Sequence, residues 1–248
     1  VLAGAMAPVT IAGAIAQQNA EILAGIVYSQ MINPGAPVVY GSFSTNMDFL
    51  SGSPVLGSPE SQKIISISGQ LARKYNLPYR SGGMFTSSKL TDTQAATESM
   101  MTMLPTINSH VNFVLHAAGW LDSGMVAGYE KFMLDCEVLG MLHKYLEGID
   151  LSEEALALEV QREVPPGGHF LITDHTLRNF RTAYYQAELF DHKVYDSWVA
   201  AGSRGALQLA NDAYRAALAD YQAPELDAAI EEELLEYINI RSGELVRA

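Results

Sequence analysis

Three short runs rich in strand-forming residues alternate with helical segments, and this alternation constrains the fold more than any other feature of the chain. The runs cover residues 37–41, 78–81 and 111–116, and one helical pattern lies between each run and the next. Strand–helix–strand repeats favour a parallel sheet with right-handed crossovers. The sequence therefore predicts an α/β fold, in which residues 1–7 form the end of a fourth strand.

Helix-capping patterns mark where the intervening helices begin. Thr10 precedes one apolar helical pattern, and Ser58 precedes Pro59 at the first position of a second helix. Proline is favoured at that position because its missing N–H would have no partner there. Residues 91–94 have the capping-box form that opens a third helix. A fourth helix is predicted over residues 125–146.

The character of the sequence changes after residue 150. No convincing strand pattern follows, and helices are predicted over residues 153–164, 176–190, 196–221 and 224–240. We therefore expect a β/α part over residues 1–150 and a helical extension over residues 151–248 that packs on it.

Charge and cysteine content exclude several classes of function. Twenty-eight acidic against fifteen basic side chains give a net charge of −13, so neither nucleic acid nor a membrane is an expected partner. The single cysteine cannot form an internal disulfide, and no Cys/His cluster is present for zinc, which is typical of a cytoplasmic protein. The apolar residues 1–16 lack the positive leader of a secretory signal and the length of a membrane span. We expect the chain to begin within a fold.

Residues that follow the strand ends are the first candidates for chemistry, because parallel β/α proteins place their sites at the carboxyl ends of the strands. His116 ends the third run and is predicted to point into such a site. A packed core histidine is the alternative interpretation, and the sequence alone does not choose between the two.

The loop at residues 165–170 is a second candidate, since it contains paired glycines and His169 and is followed by His175. Paired glycines let a backbone approach a ligand, and histidine transfers protons near neutral pH. There is no GxGxxG pattern or Walker lysine for a phosphate, and two histidines without a third ligand do not favour a metal. A structural turn is the alternative interpretation.

Aromatic residues near the strand ends suggest a cage for a quaternary ammonium group, which aromatic ring faces attract by about 0.5–2 kcal/mol per contact. An aromatic core is the alternative. Ser/His/Asp catalysis is not favoured, because the chain has no GxSxG elbow. The candidate aromatic residues are Tyr28, Tyr40, Phe43, Tyr79, Phe85 and Trp120.

Seven short motifs are distributed over nearly the whole chain, at residues 37–41 (PVVYG), 57–60 (GSPE), 70–78 (QLARKYNLP), 92–95 (DTQA), 129–132 (YEKF), 166–170 (PGGHF) and 175–178 (HTLR). In this order and at this spacing they resemble the trimethylamine methyltransferase family. Family members are about twice as long, so the resemblance implies a carboxyl-terminal half. Its implied fold is the later part of a (β/α)8 TIM-type barrel, over residues 1–150, with a helical extension.

The resemblance also implies a reaction. Members of this family move a methyl group from a methylated amine to the Co(I) centre of a corrinoid bound on a separate small protein. The chain contains only the twenty standard residues and so resembles the members without pyrrolysine, for which quaternary amines such as glycine betaine are the expected donors. The implied partners are a corrinoid protein, which carries the cofactor, and a small methylated amine, with no metal bound directly by this chain.

Position along the strands then assigns the candidate residues. Tyr40, Phe43, Arg80 and Phe85 are placed in the substrate pocket, where Arg80 is available for a betaine carboxylate. His116 is the candidate catalytic residue, which orients substrate or approaches the corrinoid. His169 and His175 are second-tier candidates for cofactor binding, and Asp92 and Glu98 are expected to cap and pack the third helix.

Two alternatives to this function stay open. One is a different reaction in an ordinary barrel enzyme, and the other is a binding or assembly module without activity. Half a barrel leaves open sheet edges that need cover, so we expect a homo-oligomer or association with the missing half.

Overall fold

The structure of the chain is a computed structural model, and it describes residues 1–245. Val1–Tyr214 forms one compact unit, and a second unit begins at Arg215. Within the described residues, every helix is either too short or too polar to cross a membrane.

The first part of the chain alternates strands with helices, and the rest is helical. In chain order the elements are β1 (Leu2–Ala3), α1 (Ile11–Ile32), β2 (Tyr40–Gly41), β3 (Thr45–Met47), β4 (Pro54–Val55), α2 (Pro59–Lys74), β5 (Tyr79–Gly82), α3 (Thr93–Asn108), β6 (Phe113–Leu115), β7 (Trp120–Leu121), β8 (Val126–Ala127), α4 (Tyr129–Leu146), α5 (Glu153–Leu156), α6 (Leu158–Glu163), α7 (Asp174–Asn179), α8 (Tyr195–Ala200), α9 (Ala206–Ala219) and α10 (Ala228–Leu245).

Strands β2, β5 and β6 form a parallel sheet, which confirms the predicted alternation. Tyr40 pairs with Tyr79 across β2 and β5, and Arg80 pairs with Phe113 across β5 and β6. Helix α2 precedes β5 and helix α3 precedes β6, as crossover connections require. The chain is therefore a mixed α/β protein with an open three-stranded parallel sheet.

The helices cover one face of this sheet. Successive strand residues point to opposite faces. On the helix side, Tyr40 and Tyr79 are buried against Ala72 of α2, and the Ser42 hydroxyl donates to Gln18 of α1 at 3.0 Å. Arg80 points to the opposite face, where Phe113 is 56% exposed. The helix side therefore supplies the core, and the other face of the sheet is open.

The predicted fourth strand is present, but it is shorter than expected and belongs to another sheet. Leu2–Ala3 lies parallel to β3, and β4 lies antiparallel to β3 on its other side. β1 therefore belongs to the β1–β3–β4 sheet and does not extend the β2–β5–β6 sheet.

Two of the predicted helix starts are confirmed by their capping bonds. Ser58 accepts the N–H of Ser61 at 3.1 Å, and Asp92 accepts the N–H of Ala95 at 2.9 Å. Thr10 occupies the capping position of α1, but its side chain makes no capping hydrogen bond. Helix α4 begins four residues later than predicted, because the preceding residues form the β7–β8 hairpin.

The helical extension contains shorter helices than the sequence suggested. The predicted helix over residues 176–190 ends at Asn179, because the backbone N–H groups of Glu188 and Leu189 donate to the buried carboxylate of Glu137 instead. The predicted helix over residues 196–221 is two helices, separated at Gly202, whose φ of 96° is left-handed.

Candidate functional site

Four aromatic rings meet beyond the carboxyl ends of β2, β5 and β6. They belong to Phe43, Phe85, His116 and Trp120, and are called the aromatic cluster below. The ring centroids are 5.1 Å apart for Phe43 and Phe85, 5.2 Å for Phe85 and His116, and 5.0 Å for His116 and Trp120. The structure therefore brings together His116 and three of the six predicted cage residues, Phe43, Phe85 and Trp120.

Because strand residues alternate between the two faces of the sheet, the charged side chain of Arg80 lies on the same face as this cluster. Arg80 lies on the open face of the sheet, and its guanidinium carbon is 5.8 Å from the centroid of the Phe43 ring. None of the acidic side chains in residues 1–245 forms an ion pair with it. Its guanidinium is therefore available to bind an anion beside the rings.

Two glycines allow the cluster to form. A Cβ atom on Gly82 would lie 2.6 Å from the Phe85 ring, and one on Gly83 would lie 2.5 Å from the carbonyl oxygen of His116. Any larger residue would push Phe85 or the His116 segment away. The Gly82-Gly83 pair therefore permits the close approach of the loops that follow β5 and β6.

His116 is held in an unusual conformation at the end of β6. Its φ of 62° is left-handed, a region that residues other than glycine rarely occupy. Its Nδ1 atom is buried and has no hydrogen-bond partner among the described residues. Burial and the nearby positive charge of Arg80 both lower the pKa of His116, so its imidazole is neutral at pH 7.

The cluster is open to one side rather than enclosed. The cavity bounded by Phe43, Phe85 and the Gly82-Gly83 turn is about 30 Å³, which is close to the volume of one water molecule. The Phe43 side chain is 49% exposed. A ligand larger than water would therefore lie against the open side of the rings.

Comparison with known sequences places the chain in a family. A sequence model for trimethylamine methyltransferase matches residues 1–246. The chain belongs to the trimethylamine methyltransferase family. This confirms the resemblance carried by the seven motifs.

The sequence is also similar to curated proteins with two different names. The chain is 45% identical over 245 residues to a glycine betaine methyltransferase of Desulfitobacterium hafniense, which covers 99% of this chain and 51% of that protein. Trimethylamine methyltransferases of D. hafniense and Methanosarcina barkeri are 34% and 35% identical, over 92% of this chain and 46% of theirs. The chain spans about half the length of the curated relatives that it matches.

Not every predicted site residue of this trimethylamine methyltransferase family member joins the cluster. Tyr40 is fully buried on the helix side of the sheet, where its hydroxyl donates to Asn19 at 3.0 Å. His169 is exposed in the loop before α7, and His175 lies within α7. Within residues 1–245, no ring contact connects either histidine to the cluster, and no group of three or more His, Cys, Asp or Glu side chains could hold a metal.

Asp92 and Glu98 have the supporting roles expected of them. The Asp92 carboxylate caps α3. The Glu98 carboxylate accepts from the Thr86 hydroxyl at 2.6 Å and from the Ser87 N–H at 2.7 Å. Both residues therefore hold the loop that follows Phe85 against the start of α3.

A buried ion pair beneath the cluster loop has no counterpart in the sequence prediction. Lys131 and Asp135 of α4 pair with each other, and Lys131 is 2% exposed. An i,i+4 Lys/Asp pair is the pattern of an exposed helix surface, so sequence gives no signal of burial. Asp135 also accepts the N–H of Gly119, which precedes Trp120, at 2.8 Å.

The same pair lines a mainly apolar cavity of the first unit. This cavity of about 770 Å³ is lined by α3, α4, Phe190 and the start of α9, and the cluster rings do not line it. Its walls include Met84, Met100, Leu134 and Val138. It is therefore separate from the site at the strand ends.

Proposed function

We propose that this protein transfers a methyl group from a betaine-type quaternary amine to the Co(I) centre of a corrinoid held by a partner protein. The observation that carries the proposal is the Arg80 guanidinium, which has no ion-pair partner within residues 1–245 and lies beside the Phe43 ring of a four-ring cluster at the carboxyl ends of parallel strands. The relative that is 45% identical is named a glycine betaine methyltransferase.

A betaine matches both parts of the site. Its trimethylammonium group has no N–H to donate, so the faces of aromatic rings are its natural partners. Its carboxylate lies one methylene away and can pair with Arg80 in a bidentate hydrogen-bonded contact. The betaine carboxylate also offsets the repulsion between Arg80 and the ammonium group.

His116 serves this site as a neutral group. Because burial and Arg80 lower its pKa, its imidazole can lie beside the ammonium group without like-charge repulsion. We assign His116 the task of orienting the methyl group, together with the Phe85 and Trp120 rings that it contacts.

The chemical step makes few demands on the protein. Co(I) attacks the methyl carbon, the C–N bond breaks, and its electron pair stays on nitrogen, so that a neutral tertiary amine leaves without an acid catalyst. The residues of this chain hold the methyl group in line and exclude water from the rings. The corrinoid is the methyl acceptor and arrives on its own protein.

The remaining assignments follow from the same proposal. His169 and His175 contact the corrinoid or its protein, and the β2–β5–β6 sheet is the later part of a TIM-type barrel whose open face becomes the barrel interior. The protein acts in the cytoplasm, and it associates through the open edges and the exposed face of this sheet, with a second copy or with the other barrel half.

The test uses protein expressed from the complete reading frame, mixed with a Co(I)-corrinoid protein and a panel of donors. The panel contains glycine betaine, proline betaine, carnitine, choline and trimethylamine, and the measured signal is the optical change from Co(I) to methyl-Co(III). We expect a betaine to methylate cobalt. Silence across the panel, with a corrinoid protein that a known methyltransferase can methylate, would overturn the proposal.

Trimethylamine is the second candidate donor, because relatives that are 34–35% identical are named trimethylamine methyltransferases. Trimethylamine has no carboxylate, so Arg80 would have no partner in its complex. Methylation by trimethylamine but not by the betaines would select this candidate. The 248-residue chain, assayed beside the protein from the complete reading frame, tests whether the chain alone is only a binding module.

A further inference from the structure

The loop that carries two rings of the aromatic cluster is strained. It runs from His116 to Gly124, and His116, Asp122 and Ser123 all have left-handed φ values, of 62°, 47° and 55°. Each such residue costs on the order of 1–3 kcal/mol and persists only where the surroundings hold it. The position of His116 and Trp120 therefore depends on contacts that fix this loop.

One of these contacts is buried and charged. The Asp135 carboxylate oxygen Oδ2 accepts the Gly119 N–H at 2.8 Å and also pairs with the ammonium group of Lys131. The Gly119 carbonyl accepts the N–H of Gly128 at 2.9 Å. Gly119 is thus held through both its N–H and its carbonyl. The acceptor for its N–H is the side chain of Asp135, a residue of α4.

Stability alone does not account for this ion pair. A buried pair gains little over apolar residues of similar volume, because taking two charges out of water offsets their attraction. Apolar side chains at both positions would fill the same space beside the 770 Å³ cavity. What apolar side chains would not supply is an acceptor for Gly119.

We propose that Asp135 is a positioning residue that acts through Gly119 to hold His116 and Trp120 in the aromatic cluster, with Lys131 keeping its carboxylate in place. This inference rests on the proposed function for its effect on turnover. Its structural part is independent of any substrate, since it concerns the place of the Trp120 ring.

Two double variants isolate the Gly119 hydrogen bond. Lys131→Met with Asp135→Asn removes both charges but keeps a carbonyl acceptor for Gly119. Lys131→Met with Asp135→Leu removes the charges and the acceptor together. Neither variant leaves an unpaired buried charge, so the difference between them reports the acceptor. Asp135→Ala in the Lys131→Met background, which also lacks an acceptor, is the reserve variant if the leucine protein does not fold.

Trp120 supplies a readout that needs no substrate. The chain has two tryptophans, so Trp198→Phe leaves Trp120 as its only tryptophan. In protein from the complete reading frame, any tryptophan outside these 248 residues is also replaced by Phe. We expect the asparagine variant to keep the emission maximum and acrylamide quenching of the parent. We expect the leucine variant to shift emission to the red, quench more strongly and lose about 10–100-fold in kcat/KM.

Glu137→Leu is the matched control. Glu137 is a buried carboxylate on the same helix, but it binds the Glu188 and Leu189 N–H groups rather than the cluster loop. This variant should lower stability and leave Trp120 emission unchanged. If it shifts Trp120 emission as much as the Asp135→Leu variant, the effect is general damage to α4 and the inference is wrong.

The outcomes separate this inference from the proposed function. Equal emission and equal kcat/KM in the two double variants would overturn the role of Asp135 while leaving the methyltransferase proposal intact. If Trp120 emission differs between the two double variants but the parent protein methylates no corrinoid, the role of Asp135 is supported and the methyltransferase proposal is overturned.

Discussion

The imidazole of His116 lies edge to face against the indole of Trp120, with ring centroids 5.0 Å apart and an interplanar angle of 77°. Edge-to-face packing leaves the face of one ring open to a third group. Phe85 contacts both rings, at 5.2 Å and 6.3 Å between centroids, and the three rings form one side of the proposed binding surface. Arg80, beside Phe43, is the proposed charged group of that surface.

Arg80→Ala should raise the KM for glycine betaine by about 10–100-fold, because a charged hydrogen bond contributes roughly 1.5–3 kcal/mol. The KM for choline, which has no carboxylate to offset the positive charge of Arg80, should not rise. Lys74→Ala removes a positive charge from the end of α2 and serves as the matched control. An equal rise in KM for both donors would show that Arg80 does not bind the carboxylate.

His116 should make the free energy of unfolding decrease as the pH falls. Its pKa is lowered in the folded state, so between that pKa and the ordinary value near 6.5 the unfolded chain binds more protons, and stability falls as the pH falls. Urea unfolding at pH 7.5 and 5.5 measures this change. The His116→Gln protein should lose less stability over the same range, and an identical loss in both proteins would contradict the assignment.

Gly83→Ala should destabilise the protein by about 1–3 kcal/mol, because its Cβ would overlap the His116 segment. Gly25→Ala is the control, since nothing lies within 4 Å of a Cβ at that position in α1. Alanine there should stabilise the helix by about 0.8–1 kcal/mol. Thermal unfolding compares the two, and a neutral Gly83→Ala would argue against the close approach.

Tyr185 should make stability fall in strong base. Burial and the Glu137 carboxylate, to which its hydroxyl donates at 2.9 Å, raise the pKa of Tyr185 to about 12. Between pH 10 and 12 the folded state therefore keeps a proton that the unfolded state has lost, so stability decreases as the pH rises. Urea unfolding of Tyr185→Phe should lack this part of the decrease, whereas Tyr184→Phe should retain it.

The 248-residue chain should associate in solution through the open face of its parallel sheet. Phe113 is 56% exposed on that face, and an uncovered apolar sheet face favours pairing. Phe113→Lys should therefore reduce association in sedimentation velocity. Leu50→Lys, at a 99% exposed position in the β3–β4 turn, is the control. A monomeric parent chain would contradict the expectation.

Local signals predicted the sheet and the main helices. The runs at β2, β5 and β6 and the caps at Ser58 and Asp92 are each visible within a few residues of sequence. The same reasoning grouped Tyr40 with Phe43 because both follow a strand. Strand alternation separates them, since Tyr40 points to the helices and Phe43 packs with Arg80.

Contacts between distant residues could not be predicted in this way. Residues 180–190 look helical, but Glu137, about fifty positions earlier, binds their backbone. Lys131 and Asp135 look like an exposed pair, and their burial depends on the loop and helices that pack around α4. Sequence periodicity describes one element at a time, whereas these features depend on which elements meet.

Alternate residues of β5 face two different parts of the molecule. Tyr79 and Ser81 face the helices, so substitutions there change how well the chain folds. Arg80 and Gly82 face the rings, so under the proposed function substitutions there should change how substrate is bound. Four consecutive residues thus divide between the packed core of the chain and the face that carries the aromatic cluster.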